Sequence, residues 1–564
     1  MMMSVVMPYS KKREGGEMEK KSSIAERNFE KPSRLKTWSG IPVKETYTPD
    51  DTKGLDYQRD IGNPGEFPYT RGIFKDMYRG RMWSLREICG YGSPRATNER
   101  LKFLMSEGET AMNVIGDLPT ECGLDSDHPM CQGAVGVMGV PLSSLKDMEL
   151  MMEGLRTDEV SMTLSIVWMP IYAFYIALAE KQGVPLDKVR ATFFGDPHVY
   201  LLTRYLPPSR PIDMGMRMSV DTAMWCNEHA PRVYTENIGA EGLRESGATA
   251  AEEIAADLSI ARAFLKAVEE RGGKVGEIAR RVAFTQRVGI DILEEAAKFR
   301  AARRIWAKML RNEFGIDDPR ALMYKVHAVT KGTDYTRQQV ENNIIRIAYQ
   351  ALAAVLGGVQ SMHTMSYDEP VCLPTEESVR VATRTQQILA YETGVINVAD
   401  PLGGSYYVES LTNELEREMI KLMDEWKDNI SPMVSSERLL AKFFDNAYQY
   451  QREIESGERT LVGVNKFTIG EEGEREEKLF TVDPAAMKEQ LDNIKDLKRT
   501  RDYEEVKRCL ENVRKTAERK EGNLFPAVLE AAKAYATLGE ITGAIRLAYG
   551  YPYDPYKILE YPFA

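Results

Sequence analysis

A parallel α/β fold is what this sequence predicts: a (β/α)8 barrel of the TIM type, preceded by an N-terminal arm and followed by a helical extension. Three observations carry that expectation. Short apolar runs of strand length recur eight times, at intervals of about 30 to 50 residues. Stretches with amphipathic helical spacing lie between them. Several of the runs carry small polar residues at alternate positions, where barrel cores normally hold bulky branched ones.

In chain order, residues 1–45 are polar and charged, with Gly15, Gly16 and Pro32, and read as a loose arm. Residues 46–110 hold a basic, aromatic stretch and then a charged helix over 96–107. The expected strands are 111–117, 160–165, 189–194, 232–238, 280–285, 324–329, 359–364 and 395–400, which places the barrel at 111–415. Helices are expected over 248–270, 291–312 and 336–356. The apolar run 167–179 reads as a buried helix interrupted by Pro170. Residues 416–564 are mostly helical, with charged stretches around 471–478 and 496–520. They end in an exposed tyrosine- and proline-rich tail suited to docking a partner.

Side chains alternate along a strand, so Ser161, Thr163 and Ser165 share one face, and Thr192, Thr235 and Ser361 repeat the theme. A polar lumen leaves room for a long ligand to thread the axis. The competing reading is that these hydroxyls face helices and bond locally.

The 564 residues carry a net charge of −11, which argues against a general nucleic-acid binder. No run of apolar residues is long enough to span a membrane. The N-terminus has its charges after its apolar part, the reverse of a secretory signal. Six scattered cysteines without a C-x-x-C pair read as reduced thiols of a cytoplasmic protein. Five histidines (His128, His198, His229, His327 and His363) show no metal-ligand spacing, so no metal site is expected.

The richest stretch is YTRGIFKDMYRGRMWSLREICGYGSP, residues 69–94. Arg71, Lys75, Arg79, Arg81 and Arg86 can meet phosphates, and Phe74, Tyr78 and Trp83 can cover a flat ring. Arginine forks bind phosphate oxygens in pairs and stack on aromatic faces. A nucleotide or coenzyme A suits that chemistry; a basic surface arm is the bland alternative.

Together with GDLPTECGLDSDHP (116–129), VSMT (160–163), EEAAKFRAARRIWAKML (294–310), VQSMHTMSYDE (359–369), ADPLGGSYYVESLTNELE (399–416) and VGVNKF (462–467), this stretch resembles the large subunit of the methylmalonyl-CoA mutase family. These are adenosylcobalamin-dependent acyl-CoA mutases. The resemblance implies a barrel with coenzyme A along its axis, and radical rearrangement of an acyl thioester. It also implies a separate cobalamin-binding domain with D-x-H-x-x-G. That motif is absent here: Asp196-Pro197-His198 lacks the glycine. The expectation is therefore a small cobalamin-binding partner subunit, with a G-protein chaperone as a further candidate partner.

Carried over residue by residue, the resemblance implies coenzyme A or substrate contacts at Phe74, Met77, Arg81, Ser84, Arg86, Ser161, Thr163, Thr192, Arg204, Arg281, His327 and Ser361. It implies cobalamin-facing positions at Gly116, Glu245, Gly332, Glu369 and Leu373. Departures from the family pattern concern the acyl end. Gly242 replaces a histidine that donates to the thioester carbonyl, Phe194 and Val329 replace glutamines, and Ile88 replaces a tyrosine. Candidate replacement groups beside strand ends are Glu121, His198, Glu241 and Arg287. Three readings follow: a mutase for a larger or less polar acyl-CoA, methylmalonyl-CoA mutase itself, or a binding subunit without isomerase activity. Each lost buried donor costs about 1–3 kcal/mol, which favours the first.

Overall fold

The computed structural model describes residues 36–198, 211–239, 241–427, 430–435, 438–469, 480–519 and 521–563. Among them lie nine strand segments: β1 (Ser84–Leu85), β2 (Ile88–Cys89), β3 (Met112–Ile115), β4 (Met162–Ser165), β5 (Ala191–Phe193), β6 (Glu236–Ile238), β7 (Val282–Val288), β8 (Val326–Thr330) and β9 (Ser361–His363). They form two sheets, ordered β1-β9-β8-β7-β6 and β2-β3-β4-β5. Every pairing within them is parallel. The protein is thus α/β with helices as crossovers, as parallel pairing requires.

The two sheets adjoin at both ends. Only Arg86 and Glu87 separate β1 from β2, so one stretch of chain serves both sheets. At the other end Thr192 makes an isolated parallel bridge to Tyr234. There Phe193 N–H donates to Tyr234 O at 2.9 Å, and Tyr234 N–H to Ala191 O at 2.9 Å.

Seven of the expected strands coincide with observed ones, and the eighth does not. Residues 395–400 contain a 3-10 turn, Val395–Asn397, entered through Gly394 in the left-handed region. Asp400, also at positive φ, is turned to bind Arg71 and Arg300. The strand that takes its place is 84–89, inside the segment expected to precede the sheet.

Helix positions follow local chemistry. Helix Pro94–Ser106 starts behind the N-cap Ser93. Thr249 and Glu252 form a capping box at the head of Ala250–Glu270. Pro170 opens helix Met169–Lys181 rather than interrupting it, because a first-turn residue needs no amide hydrogen. The third expected helix begins later, at Asn342, since Gln339 adopts a positive φ and Thr336 bonds Asn343 instead.

One strand face is apolar. Leu85, Ile238, Phe284, Ala328 and Met362 join a core with residues of helices Ala250–Glu270, Ile292–Phe314 and Tyr406–Trp426. Met112, Val114, Met162, Leu164 and Phe193 join a second core with helix Met169–Lys181 and with Tyr503–Glu518, Phe525–Lys533 and Leu538–Ala548 of the extension. The extension therefore shares the core of the second sheet. Its tail is not an exposed aromatic patch: Tyr553 contacts Gly543, and Phe563 is buried beside Tyr503 and Tyr561.

The arm is not wholly loose either. Trp38 and Ser39 N–H donate to Glu294 at 3.0 and 2.8 Å. Helix Ile292–Phe314 also holds the segment that follows. Arg303 donates to the carbonyls of Tyr69 (2.9 Å), Thr70 (2.8 Å) and Gly357 (2.5 Å), and Arg304 to Asp60 O at 2.9 Å.

Candidate functional site

The opposite strand face is polar, and register aligns its residues in rows. Ile88, Asn113, Thr163 and Thr192 are successive partners across the second sheet. Thr285, His327, Ser361 and Ser84 are successive partners across the first. Above the latter, Arg287, Val329 and His363 form another row.

Hydrogen bonds join these rows. Arg86 is 8% exposed and donates to Thr163 Oγ1, to Ser161 Oγ at 3.1 Å and to Met112 O at 3.2 Å. Ser165 bonds Asn113 at 2.7 Å, Asn237 bonds Thr285 at 2.9 Å, and His327 Nδ1 meets Ser361 Oγ at 3.0 Å. These hydroxyls therefore bond arginine, asparagine and histidine side chains of the shared polar face rather than helices. Spare capacity remains: Thr235 Oγ1, Asn237 Oδ1 and His327 Nε2 are buried without a hydrogen-bond partner.

Electrostatics there follow from burial. Desolvation lowers the Arg86 guanidinium to about 10, with Arg190 adding to the effect and Glu109 opposing it. The His327 imidazole is held well below its usual range by burial and then by Arg86, His363 and Arg287, so it stays neutral.

At the N-terminal ends of the strands, Phe74, Met77, Arg81, Val359 and Gln360 line a narrow cleft. Lys75, Arg79 and Arg81 are exposed, and their side chains enter no ion pair among the described residues. The rest of the basic stretch is committed inward. Arg71 pairs with Asp400 at 3.0 Å. Tyr78 is buried with its hydroxyl on Val359 O, and buried Trp83 bonds Gln386. Neither ring is presented to a ligand. Arg86 points into the polar face rather than to a surface phosphate. Arg281, at the start of β7, lies over the Tyr234 ring at 5.4 Å.

Beyond the C-terminal ends of the strands lie Gly116, Phe194, Gly242, Glu245, Gly332, Glu369 and Leu373. Glu245 accepts from Gly332 N–H and Thr333 N–H, both at 2.9 Å, and pairs with Arg287 at 3.1 Å. Burial alone would raise its carboxyl, but Arg287, Lys331 and these donors hold it below the ordinary value. Glu369 is exposed. Its carboxyl is raised by the surrounding protein, against His363 and Arg287. A Cβ on Gly332 would lie 2.9 Å from Met365 Sδ, so this rim is close-packed. Gly242 sits in the short helix Glu241–Glu245 and supplies only its carbonyl, to Ser246.

The candidate replacement groups separate. Arg287 stands in the polar row. His198 is withdrawn: Nδ1 meets Asp196 at 3.3 Å and Nε2 meets Ser431 at 2.7 Å, so both ring nitrogens are engaged. Glu121 is buried at the end of helix Leu118–Glu121, its carbonyl taken by Trp168 Nε1. Arg204 lies outside the described residues. Sequence reasoning passed over Glu87 and His363, whose side chains meet through Nδ1 and Oε2.

The sequence profile of the methylmalonyl-CoA mutase family matches residues 36–551. The chain belongs to this family. It is 37% identical over 521 residues to methylmalonyl-CoA mutase of Rhizobium meliloti, covering 91% of this chain and 72% of that one. To the 2-hydroxyisobutanoyl-CoA mutase large subunit of Aquincola tertiaricarbonis it is 35% identical over 529 residues, 92% of this chain and 93% of that one. The Escherichia coli methylmalonyl-CoA mutase is 34% identical over 521 residues, 91% and 72% of the two chains. The protein is thus a member of the adenosylcobalamin-dependent, intramolecular acyl-CoA mutases. No described helix is long and apolar enough to cross a membrane.

Proposed function

We propose that this chain is the catalytic, acyl-CoA-binding large subunit of a cytoplasmic, heteromeric mutase. Its substrate is an acyl-CoA other than methylmalonyl-CoA, and its reaction a radical 1,2-rearrangement. The observation that carries the reading is the polar strand face between two unlike ends, one with unpaired cations and one with carboxylates. The two sheets are read as arcs of one (β/α)8 barrel, supported by the shared 84–89 stretch and the Thr192–Tyr234 bridge. β7 alone, at seven residues, spans about 20 Å, enough for an extended pantetheine chain.

In this reading Lys75, Arg79 and Arg81 hold the phosphates, and Phe74 lies against the base. Ser161, Thr163, Thr192, Arg86, Arg281, His327 and Ser361 bond the amides and carbonyls of the pantetheine arm. Ile88, Phe194 and Val329 shape a drier acyl pocket, and Gly242 leaves it without a side-chain donor from that position. Glu245, Glu369, Gly332, Gly116 and Leu373 face the cofactor. A hydrogen-bonded carboxylate, an exposed carboxylate and a glycine rim suit a large polar ligand. Adenosylcobalamin, when bound, supplies a carbon radical. The chain's own task is to position the acyl group, bond its oxygens and exclude water.

The Aquincola relative, matched over nearly its whole length, is named a large subunit. That supports a small cobalamin-binding partner for this chain. The test is to mix the chain with such a subunit, adenosylcobalamin and a panel of acyl-CoA esters. Radical signals by paramagnetic resonance and isomerised products by mass spectrometry are expected for a branched or hydroxylated ester. Efficient turnover of methylmalonyl-CoA overturns the substrate assignment. Binding without turnover across the panel makes the chain a binding subunit instead.

A further inference from the structure

The polar face contains one histidine with a dedicated carboxylate behind it. His363 ends β9 and is 8% exposed. Its Nδ1 faces Glu87 Oε2, and its Nε2 makes no hydrogen bond among the described residues. Glu87 is fully buried, and its two oxygens also accept from Thr364 N–H (3.0 Å), Thr364 Oγ1–H (2.6 Å) and Gln386 Nε2–H (2.8 Å). Gln386 is in turn fixed by Trp83 Nε1–H at 3.1 Å. Glu109, whose Oε2 accepts from Glu87 N–H at 2.8 Å, is the neighbour that takes up a proton: burial and the Glu87 charge push its carboxyl well up.

The pair sits at the acyl end. Ile88 N–H donates to His363 Nδ1 at 3.2 Å, and Ile88 is one of the positions where the acyl pocket departs from the family pattern. His363 shares its row with Arg287 across Val329. Nδ1 meets both the Ile88 N–H and Glu87; an Nδ1 that accepts from Ile88 places the ring hydrogen on Nε2, which is left as the donor. Arg86, Arg287 and His327 face the ring from β1–β2, β7 and β8.

We propose that His363, held by Glu87, donates a hydrogen bond from Nε2 to the acyl oxygen of the substrate, a task that Gly242 has no side chain to perform. The inference rests on the acyl-CoA reading above. No bond is made or broken: the proton stays on Nε2 and neutralises part of the charge that builds on the oxygen.

The test uses binding to the chain without cofactor, read by calorimetry. The probes are isobutyryl-CoA and its thioether, S-isobutyl-CoA, which lacks the carbonyl. Wild type is expected to prefer the ester by about tenfold, the worth of a strong hydrogen bond. His363→Asn keeps an amide for Glu87 but removes Nε2, and should bind both probes alike. Glu87→Gln leaves Nε2 in place but loosens the hold on the ring, and should reduce the preference without abolishing it. An ester preference that survives His363→Asn overturns the donor role while leaving the acyl-CoA reading intact. Failure of both probes to bind wild type overturns both. If His363→Asn does not fold, wild type decides by itself: equal affinity for the two probes overturns the donor role.

Discussion

Replacing Arg86 by methionine separates ligand binding from folding. The guanidinium sits in the polar face without an ion pair, bonded to Ser161, Thr163 and the Met112 carbonyl. Burial has brought it from 12.5 to about 10. That shift corresponds to about 3 kcal/mol by which the folded protein disfavours the charge. Arg86→Met removes this penalty but takes the donor from three acceptors; two of them are hydroxyls, which can rotate to other partners, so the loss is about 3 kcal/mol. The two effects nearly offset, so the ligand-free variant should unfold in urea within about 2 kcal/mol of wild type, as buried-charge replacements often do. Ligand response should differ sharply. Coenzyme A at a hundred times its dissociation constant stabilises wild type by about 2.7 kcal/mol. The same concentration should do almost nothing for Arg86→Met. Urea unfolding followed by tryptophan fluorescence, with and without coenzyme A, measures both. The reasoning is refuted if the variant keeps the full ligand increment, or if it loses more than about 4 kcal/mol without ligand.

Other outcomes follow from the same geometry. Arg81→Ala should weaken coenzyme A about tenfold at low salt and less at high salt, with pantetheine unaffected, because an exposed, unpaired cation is screened; calorimetry at two ionic strengths checks it. Arg303→Met should cost about 3 kcal/mol in urea unfolding: three buried carbonyls lose their donor, at about 1–3 kcal/mol each, and relief of a guanidinium that burial has lowered to about 10 offsets part of the loss. Asp147 caps helix Leu145–Met151, and burial pushes its carboxyl up to about 7, against the hydrogen bonds of Gln490, Ser143 and Ser144. A raised acid contributes stability that is full below about pH 4 and is lost as pH rises through 7. Between pH 5 and 7 wild type should therefore lose about 2.5 kcal/mol more than Asp147→Asn, measured by urea unfolding at each pH.

Much of this architecture was legible because periodicity survives in the sequence. Ser161, Thr163 and Ser165 announce a polar face by alternation alone, and the strands at 111–117 and 324–329 carry the apolar partners on the other side. The strand at 84–89 was hidden. Its inward residue is a charged arginine, its other interior residue a glutamate, and each half is only two residues long. The decoy at 395–400 looks like a strand in composition, but Gly394 and Asp400 bend it into a turn. Within the basic stretch, composition could not divide the cations by destination. Arg71 is drawn to Asp400, far along the chain, whereas Arg79 and Arg81 stay exposed. Glu87 and His363 are 276 positions apart, so no spacing rule links them; only their strand neighbours do.

The pairing of β1 with β9 joins Ser84 to Ser361 across 277 residues. A loop of that length has a high closure entropy and a high contact order, both of which delay its formation. On the ribosome the segment bearing Arg81 and Arg86 emerges early, yet its partner strand is made 277 residues later. Arg303 is made before that strand, but only after more than 200 residues. A nascent chain therefore carries this basic, aromatic segment without its strand partner for about half of its synthesis, and the polar row through Ser84 is completed only once β9 has been made.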